Sequence, residues 1–542
     1  MKKISAKLRA ARFRGYVFHD SKCPWNEDRS LDCGTRAFCS AGVPPASLNH
    51  HNYRPECRRD AGATKPGIAA DGIFGRNFSL AASLCVAGLF LAGCTVGPKY
   101  ARPPVDIPGA YRGVPEEEAA KPAGAPLGEQ KWGEVFQDSQ LQELIRAALK
   151  QNYDARIAAT RVLEAQAQVG ITRADQFPTL NGVGTGTNQR NPAIGPFPSY
   201  GYTIGRVSAS AAWDVDFWGK YRRATEAARA ELLATDWARQ EVNATLVSSV
   251  AAAYFQLREL DLELEISKRA LASRKESLEL TKTLEEHGIS TILDVRQAEQ
   301  LVYTAAAGIA DLERRIGQQE DLLSVLIGSN PRPISPRGKE LVDQQHPPTV
   351  PPGLPSALLE RRPDIRQSEQ LLIAANARIG VARAAYFPDI SLTAEPGFQS
   401  SALQTLFNGS SGLWTFAGTV TQPIFNAGKL KSNVRLAEAQ QQEAVLTYQQ
   451  TIQGAFRDVS DSLIAYQKNA EFRAQQELLS TSAQDAAKLS EQRYKAGTTN
   501  YLEVLTNETN YLSADLGLAQ ARLNELLALV QVYKALGGGW EQ

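Results

Sequence analysis

Cysteine is confined to the first 94 residues of this 542-residue chain: Cys23, Cys33, Cys39, Cys57, Cys85 and Cys94, with none after. A disulfide framework is therefore excluded for the body, which must be held by packing. Histidine is equally scarce: of five, three precede residue 52, and neither His287 nor His346 has a convincing Ser/Asp or metal-ligand set near it in sequence. The spacing of Cys23, Cys33, Cys39, His50, His51 and Cys57 matches no common zinc module. No Gly-Lys-[Ser/Thr] phosphate loop occurs. The chain is accordingly expected not to be an enzyme, to carry no metal or cofactor, and to do nothing that it must power itself. Charge of one sign is lacking too, with 59 Lys+Arg against 58 Asp+Glu. The balance is +7 up to Ser79 and −6 beyond it, so the body is mildly acidic and has no basic stripe for nucleic acid.

Long apolar runs are missing except for one. Phe78 to Gly93 is apolar for about 16 residues, with Lys65 and Arg76 upstream; a spanning helix needs about 20, and the length suits a signal-peptide core. It ends Leu91-Ala92-Gly93-Cys94, which resembles the lipobox of bacterial lipoproteins. The resemblance implies cleavage before Cys94, a diacylglycerol and an N-acyl lipid on that residue, and, with Thr95 rather than Asp following, sorting to the outer membrane. Several lipid chains make a stable anchor. Residues 1–75 are read as a discarded leader extension or an over-long start, and 76–93 as the lipoprotein signal segment.

The body is an internal duplication with an offset of about 210 residues. Asp154 to Pro178 aligns without gaps on Asp364 to Pro388, pairing Arg156 with Arg366, Gly170 with Gly380 and Phe177-Pro178 with Phe387-Pro388. Gly219-Lys220 matches Gly428-Lys429, Gly288 matches Gly497, and Leu293-Asp294-Val295 matches Leu502-Glu503-Val504. Each half reads as a short helix, a hairpin, a very long helix and a return helix. The short helix 152–176 stops at Phe177-Pro178, because proline disfavours helix in the residue before it. Proline is absent from Ser199 to Asn330 and after Pro423, and glycine is absent between Lys220 and Glu286. About 67 helical residues span about 100 Å. Val242, Leu246, Ala253, Leu257, Leu260 and Leu264 form a coiled-coil-like seam. Gly288 and Gly497 supply turns, and helices 291–327 and 501–536 return.

Between the helices the pattern alternates. Val207, Ala209, Ala211, Trp213, Val215 and Phe217 interleave with Ser208, Ser210, Asp214 and Asp216; Ile390, Leu392 and Ala394, and then Trp414, Phe416 and Val420, do likewise. The pattern is weaker and Gly-rich at 180–187, and loop tips are expected at 188–201 and 397–412. Segments of about ten residues with one apolar face suit transmembrane strands; a half-buried soluble sheet alternates in the same way. Four strands leave open edges and cannot close the smallest common barrel of eight, so a membrane reading requires several copies to donate strands.

Four motifs occur in order: Cys94-Thr-Val-Gly-Pro-Lys-Tyr-Ala-Arg-Pro-Pro104, Trp213-Asp-Val-Asp-Phe-Trp-Gly-Lys220, Gln422-Pro-Ile-Phe-Asn-Ala-Gly-Lys429, and Arg493-Tyr-Lys-Ala-Gly-Thr498 followed by Tyr501-Leu-Glu-Val-Leu505. With these the chain resembles the TolC-type outer-membrane factors, and among them the NodT-like lipoproteins of RND efflux systems, over about residues 91–540. The resemblance implies a mainly α fold with a small membrane β part: a homotrimer with a twelve-stranded β-barrel on a long periplasmic α-helical barrel. It divides the chain into a lipidated linker and equatorial segment (94–151), a first repeat (152–330, hairpin about 179–217), a Pro-rich equatorial connection (331–360) and a second repeat (361–542, hairpin about 389–425). It implies an outer-membrane location, lipid-anchored with a large periplasmic portion, and a passive exit duct for small molecules or metal ions. The partners implied are a periplasmic adaptor and an inner-membrane RND transporter. The adaptor would meet the helix tips at Glu286, His287, Gly288, Ala496, Gly497 and Thr498. A duct for type I protein secretion and a non-channel helical envelope scaffold are the alternatives.

The resemblance also nominates a periplasmic gate. Glu503 falls on an acidic pore position, while the second acid, three residues on, is Thr506 here. Asp294 and Tyr494 match positions that relatives use for a hydrogen bond in the closed state, and the basic partner after Gly497 is replaced by Thr499. Symmetry-related Glu503 carboxylates would focus negative potential in a narrow mouth, favouring cations and resisting closure unless counter-ions or protonation intervene. Alternatively, Asp294 and Glu503 are first-turn acids stabilised by the positive end of a helix dipole.

Overall fold

The computed structural model describes residues 95–112, 126–344, 347 and 350–540. The leader 1–75, the signal segment 76–93 and Cys94 lie outside the described residues. The elements run α1 (Trp132–Val135), α2 (Ser139–Gln151), α3 (Tyr153–Ala174), β1 (Thr179–Asn191), β2 (Tyr200–Asp214), α4 (Lys220–Glu286) and α5 (Ile292–Leu326). They continue through α6 (Pro355–Arg361), α7 (Pro363–Ala384), β3 (Asp389–Ser400), β4 (Gly412–Thr421), α8 (Lys429–Lys495) and α9 (Tyr501–Ala535). The two long helices have 67 residues each and their return helices 35. No helix among the described residues is long and apolar enough to cross a membrane.

The short helix and the return helix of the first half, α3 and α5, both pack along α4, and α7 and α9 pack along α8. The second short helix differs from the first: α7 lies against α4 as well as α8, whereas α3 has a long helix only in α4. Leu246, Ala253, Leu257 and Leu260 of the α4 seam are all buried.

The strands form one antiparallel sheet in the order β1-β2-β3-β4. Its tips are tighter than side-chain alternation suggests. Arg190 pairs with Gly201 and Asn191 with Tyr200, and Phe398 pairs with Gly412, so the loops shrink to 192–199 and 401–411. Backbone pairing sets a strand's end, and Gly- or Ser-rich residues take part in it without displaying an apolar face. The duplication reaches a side-chain bond at the strand ends: Trp213 Nε1 donates to Gln176 O at 3.1 Å, and in the second half Gln422 Nε2 donates to Tyr386 O at 3.1 Å.

The main core sits midway along the long helices. α2 contributes Leu141, Leu144, Ile145 and Ala148 at helical spacing, packed with Tyr254, Leu257, Ile365, Tyr448, Leu529 and Tyr533. Its polar centre is Asp138, 1% exposed. Oδ1 caps α2 by accepting from Gln140 N at 2.9 Å. Oδ2 accepts from Tyr254 Oη at 2.6 Å, Gln344 Nε2 at 2.9 Å and Lys339 N at 3.0 Å. Burial works against the charge, but the bonds from Tyr254, Gln344, Lys339 and Gln140 prevail and hold the carboxyl below its usual range. One acid thereby ties the segment before α2 and the chain after α5 to α4.

An N-terminal strap, residues 95–112, is stitched along the body. Val96 N donates to Trp218 O at 3.1 Å, Arg223 Nε to Val96 O at 3.2 Å, and Asn376 Nδ2 to Pro98 O at 3.1 Å. A Cβ on Gly97 would sit 2.5 Å from Gly380 Cα, and one on Gly380 would sit 2.8 Å from Val96 O, so this crossing needs glycine on both segments. Lower down, Arg102 clamps Glu369 through Nε–Oε1 and Nη2–Oε2, each 2.7 Å, and Tyr111 enters the core.

Replacing Asp138 by Ala removes a helix cap and takes from Tyr254, Gln344 and Lys339 their shared acceptor. The expected cost is roughly 2–4 kcal/mol, read as a lower denaturant midpoint. Since the folded carboxyl titrates below the unfolded value of about 3.9, the contribution is present above that pH and lost as pH falls through the depressed value. The Ala variant should lack this acid-side loss.

Candidate functional site at the helix tips

The two long-helix hairpins turn in the same way. α4 ends at Glu286, His287 caps it, and Gly288 follows at φ 72°. Gly288 N donates to Glu285 O and Ile289 N to Leu284 O, both at 2.8 Å. At the other tip Ala496 caps α8, Gly497 has φ 71°, Gly497 N donates to Tyr494 O at 2.9 Å and Thr498 N to Arg493 O at 3.0 Å. This paired bonding closes a helix through a left-handed residue. Nothing lies within 4 Å of where a Cβ would be on either glycine, so backbone conformation, and not space, requires it. His287 Nδ1 lies 2.7 Å from Thr283 O, one turn back on its own helix. Among the described residues no cluster of His, Cys, Asp and Glu could hold a metal.

The return helices start on side-chain caps. Thr291 Oγ1 accepts from Asp294 N at 3.3 Å, and Asp294 Oδ2 accepts from Thr291 N at 2.9 Å, Thr291 Oγ1 at 2.7 Å and Ser290 Oγ at 2.9 Å. Partial burial opposes its charge, yet the Thr291 and Ser290 bonds outweigh it and hold this carboxyl below its usual range. At the second tip Asn500 Oδ1 accepts from Glu503 N at 3.2 Å. Beneath both caps lies one small core, Leu278, Val295, Ala298, Val302, Tyr501 and Val504, against which Leu271, Tyr494 and Leu505 pack. It joins α4, α5, α8 and α9 and brings the two tips together.

The nominated gate residues have specific surroundings. Tyr494 and Asp294 are not hydrogen-bonded to each other: the acid is taken up by its own cap, and Tyr494 Oη is buried with no partner among the described residues. The Tyr494 ring instead packs on Tyr501, centroids 5.4 Å apart. Glu503 is not a bare carboxylate. Its Oε1 lies 2.8 Å from Arg493 Nη1, and Oε2 accepts from Thr499 Oγ1. Thr499, standing where the resemblance places a base, thus serves the acid as a hydrogen-bond donor, and the counter-charge comes from the helix before the turn. Sequence reading missed Arg493 as that partner, although its place six residues before Thr499 across a tight turn was a usable signal. It also missed Glu508, which accepts from Ser277 Oγ at 3.1 Å and whose carboxyl burial pushes up. Exposed apolar side chains crown the tips: Ile289, Leu293 and Leu502 are 74%, 62% and 55% exposed.

Thr291→Ala removes one half of the α5 cap, an expected local loss of about 1 kcal/mol. Hydrogen exchange should accelerate in amides 292–296 while those of 501–506 stay unchanged; equal acceleration at both tips would show that the shared core, not the cap, holds the helix start.

The family model described as "Outer membrane efflux protein" matches residues 144–329 and 354–538. A probable efflux pump outer membrane protein of Pseudomonas putida, TtgC, is 37% identical over 471 residues, covering 84% of this chain and 95% of the relative. The cation efflux system protein CusC of Escherichia coli is 36% identical over 460 residues, covering 84% and 98%. Among solved structures, the open state of the MtrE outer membrane channel of Neisseria gonorrhoeae superposes with a TM-score of 0.75 at 31% identity, over 83% of this chain and 99% of that one. With both halves matched by the family model and relatives aligned over nearly their whole length, the chain belongs to the outer membrane efflux protein family.

Proposed function

We propose that this protein is the outer-membrane exit duct of a tripartite RND-type efflux pump, a homotrimer that passively conducts small molecules or metal ions outward. The observation that carries the proposal is the sheet. Its strands have 13, 15, 12 and 10 residues, against about 9–11 needed to cross a bilayer. Large apolar side chains stand exposed on it: Leu180, Trp414, Phe416 and Val420. Its outer strands, β1 and β4, have no partner on one side among the described residues. In hydrocarbon those backbone groups must be paired. An even number of antiparallel strands per chain lets β4 of one copy meet β1 of the next in antiparallel sense, and three copies close twelve strands. The helices repeat the argument, since α3 leaves Ile157, Leu163 and Ile171 exposed and α8 leaves Leu436 and Leu446. Below the membrane the long helices would line a periplasmic tunnel, whose tips at Glu286–Gly288 and Ala496–Thr498 would meet the adaptor and, through it, the inner-membrane transporter.

A lipid on Cys94 fits this arrangement. Thr95, the next residue, lies against Gly219 where β2 passes into α4, so the lipid would enter the bilayer at the helix side of the barrel. The strap fixes that position, and strand closure inserts the protein. Cys94→Ala behind an ordinary cleavable signal is therefore expected to trimerise still and to function in part; a soluble monomer would make the lipid essential to assembly.

Reconstituted mature protein should conduct in planar bilayers, and absence of current would favour an envelope scaffold. At the mouth, Arg493→Gln leaves Glu503 without its counter-charge and should shift the reversal potential in a salt gradient towards cation selectivity. Glu503→Gln should shift it the opposite way. Reversal potentials unchanged in both variants would remove Glu503 from the gate.

A further inference from the structure

The duplication specifies how one copy would meet the next, residue by residue. First strands of the hairpins correspond with a shift of 210 residues, and second strands and long helices with a shift of 209: the pair Thr179↔Ala212 recurs as Asp389↔Thr421. Within the chain the first half meets the second along one seam, where β2 pairs with β3 and α4 packs on α7. The counterpart seam would join β4 to β1 and α8 to α3. It cannot form inside the chain, because β1 and β4 are the opposite edges of a single sheet.

In the observed seam Trp213 faces Leu392, Ala212 faces Thr393 and Arg206 faces Gln399. Applying the two shifts, we infer that β4 pairs with β1 of a second copy in the register Gln422 to Gly182 of the partner subunit, Thr421 to Val183 of the partner subunit and Thr415 to Gln189 of the partner subunit. This inference rests on the proposal that copies close a barrel, and adds to it the register of closure.

The helix layer supports the same match. In the observed seam Ala227 and Ala230 of α4 pack on Ala374 and Ala377 of α7, each no more than 4% exposed. Their counterparts, Leu436 and Ala439 on α8 and Glu164 and Ala167 on α3, are all exposed, as expected of a seam whose other side belongs to another copy. The ion pair Arg378–Glu231 has Gln168 and Gln440 as its counterpart, two amides able to hydrogen-bond one another. Among the described residues the strap has no second version at this seam, so the seam between copies would be bare where the internal one is covered at Gly380.

The register is testable by disulfide trapping. Val215 N donates to Ile390 O at 2.8 Å, which marks a hydrogen-bonded pair and makes Ala212/Thr393, by alternation, a non-hydrogen-bonded one. Its counterpart, Thr421 with Val183 of the partner subunit, then has Cα atoms about 4.5 Å apart, within the roughly 4.4–6.8 Å that a disulfide spans. A chain carrying both Thr421→Cys and Val183→Cys, processed and oxidised in membranes, should give a reducible ladder on a denaturing gel that ends at the trimer. Either single variant should give none. Trapping by Thr421→Cys with Asn181→Cys or with Thr185→Cys, but not with Val183→Cys, would overturn the register. So would an intact trimer on a native gel that no pair traps. A protein that forms no trimer at all would instead sink the closed barrel on which the register rests.

Discussion

Backbone hydrogen bonding along the two outer edges of the sheet is the constraint around which this molecule is arranged. β1 and β4 each present a row of N–H and C=O groups that no strand among the described residues satisfies. Water can satisfy such groups; the interior of a bilayer cannot. A chain with four strands of membrane-crossing length is therefore incomplete alone in that setting, and the exposed apolar faces of α3 and α8 belong to the halves that carry those edges, α3 with β1 and α8 with β4. The proposed trimer would complete both with another copy of the chain.

Duplication would make such closure economical, since one solution to joining half to half would serve twice. Strand register, helix ends and even single side-chain bonds recur, as Trp213 to Gln176 and Gln422 to Tyr386 illustrate. The halves differ where the chain has something to add once. The strap fills the groove between α4 and α7, held by the close approach of Gly97 and Gly380 and by the Arg102–Glu369 clamp. Burial opposes the charge on Glu369, but Arg102 and Tyr100 bond it and keep its carboxyl below the usual range. The strap's upper end sits beside the residue that the lipobox nominates, so the unique segment has a location as well as a covering role.

At the tips, the two acids that the resemblance nominates for a gate also stand in helix caps. Asp294 and Glu503 are both third residues of their helices and both take part in capping geometry. Structural and functional readings of these acids are thus compatible, and they separate by partner. Asp294 is consumed locally, whereas Glu503 is balanced across the turn by Arg493 and Thr499. Tyr494 keeps a buried hydroxyl with no partner among the described residues, a group that a neighbouring copy could satisfy.

Sequence alone determined the elements and their order, because those depend on local rules. Two proline-poor stretches long enough for 67 residues of helix, Gly288 and Gly497 at turns needing positive φ, and an apolar alternation of period two are all legible in one dimension. So was the duplication, and through the four ordered motifs the family. Tertiary structure decided which residues meet. The Gly-rich stretch after Thr179 is full strand because its backbone finds Tyr200–Ala212, which no side-chain pattern reveals. Asp138, an ordinary surface-looking acid in sequence, became the polar centre of the core because Tyr254, Lys339 and Gln344 converge on it from far along the chain. Glu503 acquired its counter-ion for the same reason: electrostatic partners are chosen by distance in space, and the turn that brings Arg493 within 2.8 Å exists only once the helices have folded back.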